Sequence, residues 1–126
     1  VSPAGSTRVL VVEDEDALAK VLAMRLQMEG FEVSRAADGA EALAMIKKSR
    51  PDIVLCDLMM PVMDGKELTR RLKSDAKLKS IPILILSALK RDKEVEELTR
   101  LGAEGFASKP YDSKELTERI RALVGG

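Results

Sequence analysis

Histidine and tryptophan are absent from this chain, cysteine occurs once, and the aromatic residues are limited to Phe31, Phe106 and Tyr111. Each absence removes a kind of chemistry. Without histidine there is no Ser-His-Asp or Cys-His couple, no imidazole acid-base catalysis and no His-ligated zinc. The single thiol, Cys56, allows neither an internal disulfide nor a Cys-x-x-Cys pair, which suits a reducing compartment. An excess of one charge is also missing: 21 Lys+Arg stand against 21 Asp+Glu. With no net field to draw a polyanion and few rings to stack on bases, no direct nucleic-acid binding by this domain is expected. No apolar run approaches the roughly 20 residues that cross a bilayer, and no signal-peptide pattern opens the chain. The expectation is a cytoplasmic protein with no membrane association.

What remains is a globular composition, 45% hydrophobic and 33% charged over 126 residues, enough for one core and too little for two ordinary domains. Residues 1–7 are small and polar and read as a flexible leader or linker, 8–124 as the folded domain, and 125–126 as a tail. Three apolar runs too short for helices, at 9–12, 53–56 and 83–86, each lead directly into polar residues. Their Val, Ile and Leu content suits strands buried on both faces of a parallel sheet. The segments 32–36 and 105–108 are weaker candidates, suited to edges.

Amphipathic stretches lie between these runs. Leu18, Val21, Leu22 and Leu26 repeat at helical spacing, as do Leu43 and Ile46, Leu68 and Leu72, Val95, Leu98 and Leu101, and Leu116, Ile120, Leu123 and Val124. Gly30 and Gly102 follow the first and fourth helices as stop signals, and Asp38, Asp64 and Asp112 or Ser113 are N-caps for the second, third and fifth. Five alternating βα units in one core predict a doubly wound α/β fold, with a parallel sheet covered by helices on both faces.

In such sheets the crevice lies beyond the carboxyl ends of the strands, where strand order reverses. The residues after each strand therefore form one set: Glu13, Asp14, Glu15 and Asp16, then Asp57, then Ser87, then Lys109 and Pro110. Gathered carboxylates repel one another by on the order of a few kcal/mol for a close pair, and a hard cation such as Mg²⁺ offsets that repulsion. With a phosphoryl group present, Asp57 could act as a carboxylate nucleophile, with Lys109 neutralising charge and Ser87 donating a hydrogen bond.

These residues are where the chain resembles a known family. Val-Glu-Asp-Glu at 12–15, Leu-Cys-Asp-Leu-Met-Met-Pro-Val-Met-Asp-Gly at 55–65, Leu-Ser-Ala at 86–88 and Gly-Phe-Ala-Ser-Lys-Pro at 105–110 together resemble the receiver domain of two-component response regulators, over essentially all of 8–124. The resemblance implies a flavodoxin-like, five-stranded parallel sheet in the order 2-1-3-4-5. It implies Asp57 as phospho-acceptor, and Asp14, Asp57 and the backbone carbonyl of Met59 as ligands to Mg²⁺, with Mn²⁺ as a substitute. Ser87 would follow the phosphoryl group, Lys109 would sit at the acyl phosphate, Phe106 would be the aromatic switch, and the Lys109-Pro110 bond would be cis. The donor would be a phosphohistidine on a histidine kinase or histidine phosphotransfer protein. The output would be a change in the helix 4, strand 5 and helix 5 face toward a downstream effector domain or protein, with a phosphorylation-dependent dimer within the family's repertoire. Chemical activity of its own would be limited to self-phosphorylation and slow self-dephosphorylation.

Several positions depart from the family's commonest pattern. Glu13 stands where Asp is commoner, and its longer arm is expected to reach the metal through water. Phe106 replaces the frequent Tyr and can turn inward without burying a hydroxyl. Met59 and Leu89, two residues after Asp57 and Ser87, are apolar and unable to position an attacking water, so slow hydrolysis of the Asp57 phosphate is expected. Gly105 occupies the place of an acidic residue used in dimers of winged-helix members. Plainer roles suit other residues: Asp16 complements the start of the first helix, Cys56 is a buried inert thiol, and the charged run at 90–97 is a solvated helix face. Met59, Met60 and Met63 fit either loop packing or an adaptable contact surface. Three other functions compete: a receiver fold used for docking without phosphorylation, a Mg²⁺-dependent aspartyl-phosphate phosphohydrolase, and an FMN binder. The phosphohydrolase would need an Asp where Met59 stands, the FMN binder a phosphate-cradling loop where the acidic run lies, and a docking module would have no need of Asp14, Asp57 or Lys109.

Overall fold

The computed structural model describes residues 7–58, 63–87, 92–108 and 112–124, without the side chains of Ser87, Asp92, Glu94, Ser108 and Ser113. Strands and helices alternate along the chain: β1 (Arg8–Val12), α1 (Asp16–Met28), β2 (Glu32–Ala36), α2 (Gly39–Lys48), β3 (Ile53–Asp57), α3 (Gly65–Lys73), β4 (Ile83–Ser87), α4 (Asp92–Leu101), β5 (Gly105–Ser108) and α5 (Ser113–Leu123). The strands are all parallel in the order β2-β1-β3-β4-β5, the flavodoxin-like order implied by the resemblance. The two weaker strand candidates are indeed the edges.

Each central strand is apolar on both sides because both sides are covered. Val9 and Val11 point toward α1 and α5, where they meet Leu22, Leu26, Leu116 and Ile120. Leu10 and Val12 point the other way, toward α2, α3 and α4, into a core with Ile46, Leu68, Leu72 and Leu98. A leucine removed from either layer is expected to cost about 2–5 kcal/mol through lost transfer energy and the cavity left behind.

Helix ends follow local chemistry. Asp38, Asp64 and Asp112 accept hydrogen bonds from the N–H groups of Glu41, Glu67 and Lys114 at 2.8, 2.9 and 3.3 Å. Gly30 and Gly102, at φ of 94° and 112°, take the left-handed conformation that lets the chain leave a helix without a Cβ clash.

The α1 stripe departs from its periodicity. Leu18 and Val21 are 46% and 47% exposed, and the buried face is Ala19, Leu22 and Leu26. Val95 of α4 is likewise exposed, while Leu98 is buried. Each helix touches the sheet along a narrow line, so flanking apolar residues at helical spacing lie outside the contact.

Candidate functional site

The sheet order reverses between β1 and β3, and the register decides what meets there. Val12 is opposite Cys56, so Glu13, the next residue of the first chain segment, comes alongside Asp57, the last residue of β3. Glu13, Asp14 and Asp57 bring carboxylate oxygens within 4.8 Å of one another. Glu13 is buried at 7% exposure, Asp57 is half-buried and Asp14 is exposed, giving the cluster a floor and an open mouth.

Backbone contacts hold the parts of this cluster in place. The Glu13 N–H donates to the Ala36 carbonyl at 3.0 Å, and its Oε2 accepts from the Glu15 N–H at 3.3 Å. Arg35, near the end of β2, donates to the Glu13 carbonyl from both Nε (3.1 Å) and Nη2 (2.8 Å). The third nitrogen of its fork, Nη1, pairs with the Asp16 carboxylate. Hydrogen bonding to Arg35, then its charge, holds the Asp16 carboxyl below its ordinary value. Asp16 thus lies in the first turn of α1, as its plainer reading has it, and also carries a contact to β2.

After β3 the Leu58 N–H donates to the Leu86 carbonyl at 3.2 Å, and the Gly65 N–H to the Leu58 carbonyl at 3.1 Å. The same loop is tied to α2 by the Gly39 N–H, which donates to the Met63 carbonyl at 3.1 Å. Met63 packs against the core as a partly buried side chain. Cys56 is fully buried and donates its S–H to the Asp57 carbonyl at 3.3 Å. Burial above all, and then the charges of Asp57, Asp64 and Glu13, push its thiol upward and keep it protonated, the inert state expected of it.

The remaining sites lie across the sheet. Leu86 is opposite Asp57 and Ser87 follows it, with Ser87 opposite Ser108 of β5. The backbone therefore puts Ser87 at the crevice, though its side chain is not among those described. Met59, Lys109 and Pro110, and with them the expected cis bond, lie outside the described residues, as do Met60 and Leu89. Phe106 pairs in register with Ile85 and is half-buried against the α2, α3 and α4 layer. Its carbonyl accepts from Arg119 Nη1 of α5 at 2.7 Å.

The donor set at the acidic cluster fits a small hard cation. All three side chains offer carboxylate oxygens, the hard donors that Mg²⁺ prefers, and these oxygens lie close enough together for one small cation to offset their mutual repulsion. Among the described residues, no helix is long and apolar enough to cross a membrane.

The comparisons with known proteins agree with this geometry. Residues 9–121 match the family model described as the response regulator receiver domain. Over 120 residues the chain is 42% identical to the sensory transduction protein RegX3 of Mycolicibacterium smegmatis, a match covering 94% of this chain and 50% of that protein. The chemotaxis protein CheY4 of Vibrio cholerae superposes with a TM-score of 0.89 at 33% identity, covering 94% of this chain and 99% of that one. The receiver domain of sensor histidine kinase PA1611 of Pseudomonas aeruginosa, solved with a magnesium ion coordinated in its active-site cleft, superposes with a TM-score of 0.88 at 27% identity, covering 97% of this chain and 100% of that one. The chain belongs to the response regulator receiver domain family and carries that family's acidic pocket in Glu13, Asp14 and Asp57. It spans about half the length of RegX3.

Proposed function

We propose that this domain accepts a phosphoryl group on Asp57 from a histidine kinase or histidine phosphotransfer protein, in a Mg²⁺-dependent reaction, and thereby changes what its α4, β5 and α5 face binds. The observation that carries this reading is the convergence of Glu13, Asp14 and Asp57 at the reversal point of the sheet. In the transfer, a carboxylate oxygen of Asp57 forms the new bond to phosphorus. The P–N bond of the donor phosphohistidine breaks, and its electron pair returns to the imidazole nitrogen, which takes up a proton.

Asp14, Asp57 and the Met59 carbonyl would hold the cation, with Glu13 reaching it through water. The magnesium ion bound in the PA1611 receiver supports this assignment. When bound, Mg²⁺ neutralises charge on the phosphoryl oxygens. Lys109 would add a second positive charge at the acyl phosphate, and the Ser87 hydroxyl would hydrogen-bond a phosphoryl oxygen. Inward movement of Ser87 would open space for Phe106, and the bond from Arg119 to the Phe106 carbonyl supports a coupling of that movement to α5. The output is a population shift between two packings of this face, biased by the contacts of the phosphate.

The longer relatives support a downstream effector domain or protein as the recipient of the signal, with a phosphorylation-dependent dimer as one form of output and the cytoplasm as its location. The test is incubation with Mg²⁺ and acetyl phosphate followed by intact mass. The wild type should gain one phosphoryl group and Asp57→Ala none. Equal gain in both, or gain in neither, would overturn the assignment.

A further inference from the structure

We propose that Arg35 is a positioning residue for the acidic pocket, holding the segment from Glu13 to Asp16 in the geometry that binds Mg²⁺; the proposal rests on the reading of the pocket given above. Three nitrogens of one guanidinium are committed to this segment: Nε and Nη2 bracket the Glu13 carbonyl at 3.1 and 2.8 Å, and Nη1 pairs with Asp16. The Glu13 N–H is engaged as well, by the Ala36 carbonyl at 3.0 Å. Both backbone polar groups of Glu13 are thus anchored to β2.

A peptide group is planar, so fixing the direction of the Glu13 carbonyl also fixes the N–H of Asp14 and the direction in which its α-carbon leaves. Asp14 itself is exposed and sits between two anchored points, the Glu13 carbonyl and the first turn of α1 at Asp16. Ordering the loop in advance spares part of the entropy that metal binding would otherwise lose. Lysine cannot replace this geometry, because a single ammonium lacks the rigid fork that brackets one oxygen while reaching a second partner.

Electrostatics alone predict the opposite sign. A guanidinium beside a cation site repels the cation, so its removal should tighten binding if charge were its whole contribution. If positioning dominates, removal weakens binding.

The experiment measures Mg²⁺ affinity by calorimetry, and Mn²⁺ affinity by electron paramagnetic resonance, for the wild type, Arg35→Ala and Arg35→Lys. We expect Arg35→Ala to weaken affinity by about threefold to tenfold, below the range typical when direct partners of metal ligands are lost, with Arg35→Lys in between. In acetyl phosphate labelling, the half-saturating Mg²⁺ concentration should rise while the rate at saturating Mg²⁺ stays within about twofold of the wild type, because a pre-ordering contact affects loading more than the loaded state. Equal or tighter binding by Arg35→Ala overturns the proposal, as does a fall in the saturated rate with unchanged half-saturation. Should Arg35→Ala fail to fold, Arg35→Lys decides: weaker binding than the wild type supports the clamp, and equal binding overturns it. A wild type that binds no Mg²⁺ overturns the reading of the pocket together with this proposal, whereas a wild type that binds it with Arg35→Ala unchanged overturns this proposal alone.

Discussion

Gly65, the first residue of α3, lies against the backbone of Asp57: a Cβ at Gly65 would come 2.7 Å from the Asp57 carbonyl oxygen and 3.1 Å from the α-carbon of Leu58. Neither neighbour is a flexible side-chain end, so the backbone that carries Asp57 would have to move. Gly65→Ala is expected to cost about 1–3 kcal/mol in urea unfolding, the usual range for overpacking. It should also slow acetyl phosphate labelling more than Leu72→Ala, which empties part of the core on the same helix. Equal labelling by the two variants at matched stability would count against this role.

Lys73 is expected to be a stability residue remote from the chemistry. Its side chain is only 10% exposed, and its ammonium donates to the Lys79 and Ile81 carbonyls at 2.9 and 2.8 Å and to Glu104 at 2.7 Å. Glu104 in turn accepts from the Ile83 N–H at 2.9 Å, at the start of β4. Lys73→Met leaves these acceptors without their donor and should lower stability by about 1–3 kcal/mol. Labelling at saturating Mg²⁺ should be unchanged at temperatures where the variant is folded, since this network lies at the opposite end of β4 from Ser87.

The surface ion pairs predict a loss of stability in acid. Hydrogen bonds from Arg70 and Arg71 hold the Glu67 carboxyl below its ordinary 4.5, and a hydrogen bond from Lys66 does the same for Glu97, joining α3 to α4. Asp16 is held below its ordinary 3.8 by Arg35. A carboxyl with a depressed folded value stabilises the fold above its unfolded value and ceases to do so as pH falls through the folded one. The contribution of the two glutamates should therefore begin to fade near 4.5 and that of Asp16 near 3.8. Glu67→Gln should show a shallower acid limb than the wild type in urea titrations, with the difference shrinking at high salt because these pairs are exposed. Identical acid limbs at low salt would refute the assignment.

Phosphate lifetime should respond to Met59 and Leu89. Neither side chain can hold an attacking water, so Met59→Asn combined with Leu89→Glu is expected to hydrolyse the Asp57 phosphate faster than the wild type. Following loss of phosphoryl mass after removal of the donor measures this, and equal or slower hydrolysis in the double variant would sink the idea.

The strands and caps were legible because their causes are local. Continuous Val, Ile and Leu runs mark strands covered on both faces, and an aspartate two or three residues before a first-turn N–H with no acceptor inside the helix marks a cap. Asp14 and Asp57 could be grouped without coordinates because parallel α/β sheets gather their strand ends. The outer apolar residues of α1 were misleading for a physical reason: spacing reveals a helical stripe but not how wide a strip of it the sheet covers, and Leu18 and Val21 lie beyond that strip.

Arg35 and Lys73 were invisible as special residues. Each reads in the sequence as one more surface charge in a chain balanced at 21 of either sign. Arg35 gains its role only because Val12 is paired with Ala36 across β1 and β2, which brings its guanidinium to Glu13. A shift of that pairing by one residue would turn the side chain to the other face of the sheet.

By itself, then, the sequence determined which segments are strands and helices, where helices start and stop, and which chemistry is available without histidine or a disulfide. Periodicity, capping and composition act over a few residues and need no partner. The tertiary structure alone decided which of the many charges are buried, clamped or paired. Those contacts join segments far apart in the chain, and strand order and register choose them.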